Sequence, residues 1–122
     1  MPIVDVRPVV SASRKLPSDA AQTLAASIGR VLGADTGRVW VRVTELQDGK
    51  YAENGAMVED DDLPVFVQVL HADWPDEEAR VNEAEQLAAA VASSLRRPVE
   101  RVHVEYAPPG RGRVAFGGKL VR

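Results

Sequence analysis

Pro2 follows Met1 directly and leads into the apolar run Ile3-Val4-Asp5-Val6-Arg7. Methionine aminopeptidases remove an initiator Met that precedes a small residue such as proline. The mature chain is therefore expected to begin with a secondary amine at the tip of a buried strand. An α-amino group has a reference pKa of about 8, and burial or nearby cations move it towards neutrality. A base poised near neutral pH is what proton transfer requires. A strand-starting proline is also a common structural feature, so the rest of the chain has to decide between the two readings.

The elements that must position this amine are legible twice. Ala21, Leu24, Ala25, Ile28, Val31 and Leu32 recur at helical spacing over residues 18–32, with Ser18 as the expected N-cap and Gly33 as the stop. Val39, Val41 and Val43 then alternate with Trp40, Arg42 and Thr44, as in a half-buried strand. Pro64 to Leu70 forms a second dense apolar strand. Asp73 is the expected cap of a helix entered through Pro75, whose inner stripe is Ala84, Leu87, Ala88, Val91, Ala92 and Leu95. Val102, Val104 and Tyr106 alternate with His103 and Glu105 in the strand that follows.

The halves superpose without gaps over the helix and its following strand. Leu24 matches Leu87, Ile28 matches Val91, Leu32 matches Leu95, Arg38 matches Arg101 and Val41 matches Val104. The expected class is α+β: two tandem β-α-β units forming a four-stranded sheet, two helices on one face, and a short C-terminal strand. Repeat one covers about 2–46, a connector 47–62, repeat two 63–107 and a tail 108–122, all within one domain. The acidic run Glu59-Asp60-Asp61-Asp62 reads as a solvated loop. Val114 to Gly118 reads as a short strand or hairpin edge. The sheet face away from the helices carries Trp40, Arg42, His103 and Glu105, and oligomerisation is the economical way to cover it.

Composition narrows the chemistry further. The chain has no cysteine, which excludes a disulfide framework, a thiol nucleophile and Cys-ligated zinc. His71 and His103 are its only histidines, so no metal site is expected. A net charge of −3 without a Lys/Arg stripe argues against a nucleic-acid surface. No apolar run approaches the ~20 residues that span a bilayer, and no basic-apolar leader is evident. The cytoplasm is the expected compartment.

The N-terminal proline strand, the paired β-α-β units and the tail Val114-Ala115-Phe116-Gly117-Gly118 together resemble the tautomerase superfamily. The first half looks like its 4-oxalocrotonate tautomerase branch and the second like its macrophage migration inhibitory factor branch. The resemblance implies a homotrimer with active sites at subunit boundaries, cofactor-free chemistry, and a small carboxylate substrate. In that chemistry the proline nitrogen removes a proton α to a carbonyl, while cationic side chains hold the carboxylate.

Carried over residue by residue, Pro2 matches the catalytic base. Arg14 falls near the arginine of the loop after the first strand, a residue type suited to gripping carboxylates. Trp40 stands where one branch has a strand arginine, and Ala34 lies near the other's pocket lysine, so two cationic positions are lost. Arg42, Arg111 and Arg113 are the available substitutes, and Tyr51 falls on a pocket phenylalanine. His103 replaces a pocket tyrosine and Glu105 an asparagine. Glu105 and Arg42 occupy equivalent repeat positions, so either they pair across the sheet, or His103 and Glu105 line the pocket and activate water. Phe116 falls on the tail aromatic that packs over the pocket. Pro64, the repeat-two counterpart of Pro2, is internal, and its amide nitrogen has no basicity. The leading expectation is an isomerase of keto-enol tautomerase type acting on a 2-oxo or enol carboxylate. The alternatives are a hydratase, dehalogenase or decarboxylase with Pro2 as acid, and a non-catalytic trimer if Met1 is retained.

Overall fold

The computed structural model describes residues 2–122, so the expected removal of Met1 concerns a residue outside the described ones. In chain order the elements are β1 (Ile3–Val10), α1 (Ala20–Val31), β2 (Trp40–Val43), β3 (Leu46–Gln47), β4 (Val65–Leu70), α2 (Glu77–Leu95), β5 (Val102–Tyr106), β6 (Ala115–Phe116) and β7 (Lys119–Leu120). The sheet order is β2-β1-β4-β5, with β3 continuing alongside the far end of β1. Within each repeat the strands run parallel, β1 with β2 and β4 with β5. The repeats join antiparallel through β1 and β4, with Ile3 opposite Leu70 and Val6 opposite Val67. This is the duplicated β-α-β arrangement the sequence predicts.

Both helices cover one sheet face. Val4 and Val6 of β1, Val65, Val67 and Val69 of β4, and Val102 of β5 meet Leu24 and Ile28 of α1 and Leu87 and Val91 of α2 in a single core. Alternation along the strands sends Ile3, Asp5 and Arg7 to the opposite, open face. Two local signals resolve differently from expectation. Helix α1 begins at Ala20 behind Asp19, without a side-chain cap. Helix α2 is capped by Asp76, whose carboxylate accepts from the Ala79 amide at 2.8 Å. Asp73 is instead engaged by Arg111, whose Nε donates to it at 2.8 Å. The stop after α1 is as expected: Gly33 has φ +59°, which an L side chain resists.

The end of the core below β1 is closed by Arg97. It is 8% exposed, and its guanidinium donates to the carbonyls of Leu63 and Val9, both at 2.8 Å. The acidic run is more than a solvated loop, because Ser13 donates to Asp60 and Arg14 pairs with Asp61. The tail forms a separate hairpin of β6 and β7, outside the main sheet. Among the described residues no helix is long and apolar enough to cross a membrane.

Two carboxylates, the half-buried Glu53 and the exposed Asp73, give the fold a predictable acid response. Hydrogen bonds from Tyr51 and Arg101 hold Glu53 below its ordinary value of 4.5, and Arg111 holds Asp73 below 3.8. A depressed folded pKa contributes stability above the unfolded pKa, and this is lost as pH falls through the folded value. The urea midpoint is therefore expected to drop between about pH 6 and about pH 3, and less steeply in Glu53→Gln. Equal slopes in the two proteins would contradict this.

Candidate active site

Pro2 lies one residue before β1, half-buried, and its carbonyl accepts from the Trp40 amide at 3.1 Å. That bond ties the start of β1 to the start of β2, where Ile3 pairs with Trp40. Trp40 in turn meets Phe116 edge to face, with ring centroids 5.3 Å apart and planes at 84°. The tail hairpin thus delivers an aromatic ring to the Pro2 end of the sheet. Of the sequence-derived site residues, Phe116 is the one linked to Pro2 within a single protomer, through Trp40.

The others stand elsewhere. Arg14 lies beyond the opposite end of β1, an eight-residue strand, which at ~3.3 Å per residue places it roughly 25 Å from Pro2. Arg42 grips Asp5 bidentately, Nε to Oδ1 at 2.6 Å and Nη2 to Oδ2 at 2.9 Å. Its expected pairing with Glu105 does not form, because β1 and β4 stand between β2 and β5. Glu105 instead accepts from Gln68 Nε2 at 3.2 Å. Register aligns Arg42 with Asp5, Asp5 with Gln68, and Gln68 with Glu105, so these four form one polar row across the open face.

His103 packs against Phe66, centroids 5.6 Å apart, and Phe66 against Tyr51 at 5.8 Å. Asp5, Arg7, Phe66, Gln68, His103 and Glu105 surround a depression of about 260 Å³ on this face. The row and the depression lie on the side opposite the helices. One protomer therefore holds two features: the Pro2 position at one end of the sheet, tied through Trp40 to Phe116, and a polar, partly aromatic patch on the open face.

The sequence reading missed a third set at the Pro2 end, on the helix side. His71 follows β4, Glu83 stands on α2 and Tyr106 ends β5; His71 Nε2 lies 2.9 Å from Glu83 Oε2, and the Tyr106 hydroxyl donates to the same oxygen at 2.6 Å. Nearby, Trp74 Nε1 donates to the Ala107 carbonyl at 2.9 Å, and the Arg80 guanidinium sits 4.7 Å above the Trp74 ring. The only sequence signal was that His71 is one of two histidines. Its partners are 12 and 35 positions away, so only register and helix docking reveal them. Among the described residues no cluster of three or more His, Asp or Glu side chains is arranged to hold a metal ion.

No protein-family model matches the sequence, and no curated protein is similar to it in sequence. Solved structures are similar in fold. A macrophage migration inhibitory factor from Trichinella spiralis superposes with a TM-score of 0.73 at 16% identity, covering 97% of this chain and 98% of the other. A fused 4-OT wild-type symmetric trimer gives 0.75 at 16% identity, covering 98% and 94%. A protein solved after inactivation by 2-oxo-3-pentynoate gives 0.73 at 19% identity, covering 98% and 94%. With likeness this extensive in shape, the chain has the fold of macrophage migration inhibitory factor and 4-OT.

Proposed function

We propose that this chain is a cofactor-independent tautomerase acting on a small 2-oxo or enol carboxylate, with the Pro2 amine as general base. The observation that carries the reading is the place of Pro2: one residue before β1, its carbonyl held by the amide of Trp40, whose ring meets Phe116. Apolar rings at that end lower the polarity around an amine and disfavour its protonated form, which moves its pKa towards the operating pH. Removal of Met1 is part of the proposal, since an acylated nitrogen has no lone pair to offer.

The proposal includes a homotrimer. Arg14 and Pro2 stand at opposite ends of β1, so a carboxylate clamp of Arg14 type requires a neighbouring protomer. The open face also carries Trp40 and Phe66, exposed by 44% and 36%, and oligomerisation would cover them. The structurally similar fused 4-OT is a symmetric trimer. Within such an assembly Arg14, Arg42, His103 and Glu105 are the candidates to meet the substrate, with Phe116 as the wall. Arg42 would have to exchange Asp5 for the substrate carboxylate, and Arg14 would have to exchange Asp61.

A second reading rests on the depression beside His103 and Glu105. There Pro2 stays protonated as an acid and Glu105 directs water onto the substrate. Glu105→Gln would then abolish haloacrylate hydration while leaving ketonisation intact, and equal losses in both assays would remove this reading.

The direct test of the leading reading is covalent. An alkynyl 2-oxo acid is a Michael acceptor, and a neutral secondary amine is the nucleophile that captures it. 2-Oxo-3-pentynoate, the inactivator of the structurally similar protein, is expected to leave one adduct per chain on Pro2. Intact mass and peptide mapping read this and report Met1 in the same measurement. A retained Met1, or an adduct on another residue, overturns the proposal.

A further inference from the structure

The His71–Glu83–Tyr106 cluster stands at the same end of the sheet as Pro2. Ile3 is opposite Leu70 and Val4 opposite Val69 in the antiparallel ladder, so continuing the register one step sets His71 opposite Pro2. Directly opposed residues lie about 4.5–5.5 Å apart at Cα and share a face. Val4, Val6, Val67 and Val69 fix the alternation, all pointing to the helix side, which is also the side of Pro2 and His71. His71 is pinned through its main chain as well, its carbonyl accepting from the Gly110 amide at 2.8 Å. A Cβ on Gly110 would stand 3.4 Å from that oxygen and 2.9 Å from Val114 Cγ1, so the tail loop packs tightly there.

The cluster also orients the ring and, for neutral imidazole, selects its tautomer. The side chains of His71 and Glu83 are 14% and 15% exposed, and the His71 and Tyr106 rings stack with planes 18° apart. Burial, then the Glu83 contact, pushes the Tyr106 phenol pKa well up, so its hydroxyl remains a donor at neutral pH. A Glu83 carboxylate that accepts from both neighbours puts the proton of a neutral His71 on Nε2. Nδ1 is left as an acceptor.

We propose that His71 is a positioning residue for the Pro2 amine, its Nδ1 accepting an N–H of the ammonium that forms when Pro2 takes the substrate's α-proton. This rests on the Pro2 reading above. After abstraction the secondary ammonium carries two N–H bonds. His71 holds one, which aims the other at the carbon or oxygen that receives the proton. His71 gains and loses no proton. The titratable and charged groups around it are Glu83 and Arg80 of α2, Tyr106 of β5 and the Asp73–Arg111 pair of the adjoining loops. Asp5, the nearest acid of β1, points to the opposite face.

An acceptor for the charged form raises an amine's pKa, so its removal lowers it. In His71→Ala the acid limb of the pH profile of kcat/KM for phenylenolpyruvate ketonisation is expected to move down by about one pH unit, with kcat about tenfold lower. His71→Asn, whose Oδ1 can stand in for Nδ1, should restore most of both. Glu83→Gln, whose amide can donate to Nε2 and so favour the other tautomer, should shift the limb in the same direction as His71→Ala. The pH dependence of 2-oxo-3-pentynoate labelling, read by intact mass, gives the amine's titration independently of turnover. Acid limbs that superimpose in wild type, His71→Ala and Glu83→Gln overturn the inference; if His71→Ala does not fold, Glu83→Gln and His71→Asn decide it. The two proposals fail distinguishably. A wild-type protein that takes no adduct at Pro2 removes the base itself, whereas labelled wild type with unmoved variant profiles removes only the role of His71.

Discussion

Pro2→Leu is expected to bring enol-carboxylate ketonisation down to the level of the buffer-catalysed reaction, a loss in kcat/KM at the upper end of the ~10²–10⁴ that a positioned base supplies. The reasoning is chemical. Leucine at position 2 is too large for efficient removal of Met1, so the nitrogen at the start of β1 stays an amide. Pro2→Ala tests a different property, because Met1 is still removed and a free amine remains. That amine is primary and no longer held by the ring, whose fixed φ near −65° limits its freedom. Its loss should fall near the lower end of the same range. Kinetics on phenylenolpyruvate and 2-hydroxymuconate, with intact mass on each protein, check the pair. Unchanged rates in both variants would assign the base to another group. A large loss in Pro2→Ala and none in Pro2→Leu would contradict the requirement for a free nitrogen.

The second large effect is structural. Leu87→Ala and Leu24→Ala are each expected to lower stability by about 2–5 kcal/mol. Both leucines are 0% exposed, and both lie in the layer where the helices meet the sheet. Truncation loses the transfer free energy of the side chain and leaves a cavity in a region packed from both layers. The two sites are equivalent positions of the repeats, so their costs should agree to within the factor of two to three that context imposes. For a chain of this size the loss corresponds to roughly 10 °C or more in Tm. Urea denaturation at fixed protein concentration is the measurement, because subunit association would make the midpoint concentration-dependent. A loss below ~1 kcal/mol at either site would mean that the surrounding layer collapses to fill the space.

Much of the fold was legible because its causes are local. The i, i+4, i+8 stripe at Leu24, Ile28 and Leu32 and its copy at Leu87, Val91 and Leu95 demand two helices with one buried side. The alternation at Val102 and Val104 demands a strand. Gly33 could be read as a stop because its positive φ is a property of one residue. Cap choice was less secure. Asp73 and Asp76 both precede α2, and the Arg111 contact reserves Asp73, leaving Asp76 for the Ala79 amide.

The site divides along the same line. Pro2, the repeat, and the aromatic at 116 are visible in the chain as residue types at telling positions. Which side chains meet is a matter of strand order and register. Arg42 and Glu105 look like partners because they are repeat equivalents, but the order β2-β1-β4-β5 places them at the two edges of the sheet. Arg42 takes Asp5 and Glu105 takes Gln68. Arg14, only 12 residues from Pro2 in sequence, lies at the far end of the strand that separates them. His71, Glu83 and Tyr106 are assembled from three elements by one antiparallel register and one helix docking. Hydrophobic periodicity is written residue by residue and specifies the layers by itself. Polar contacts between distant segments depend on the packing of those layers, and that is decided in the tertiary structure.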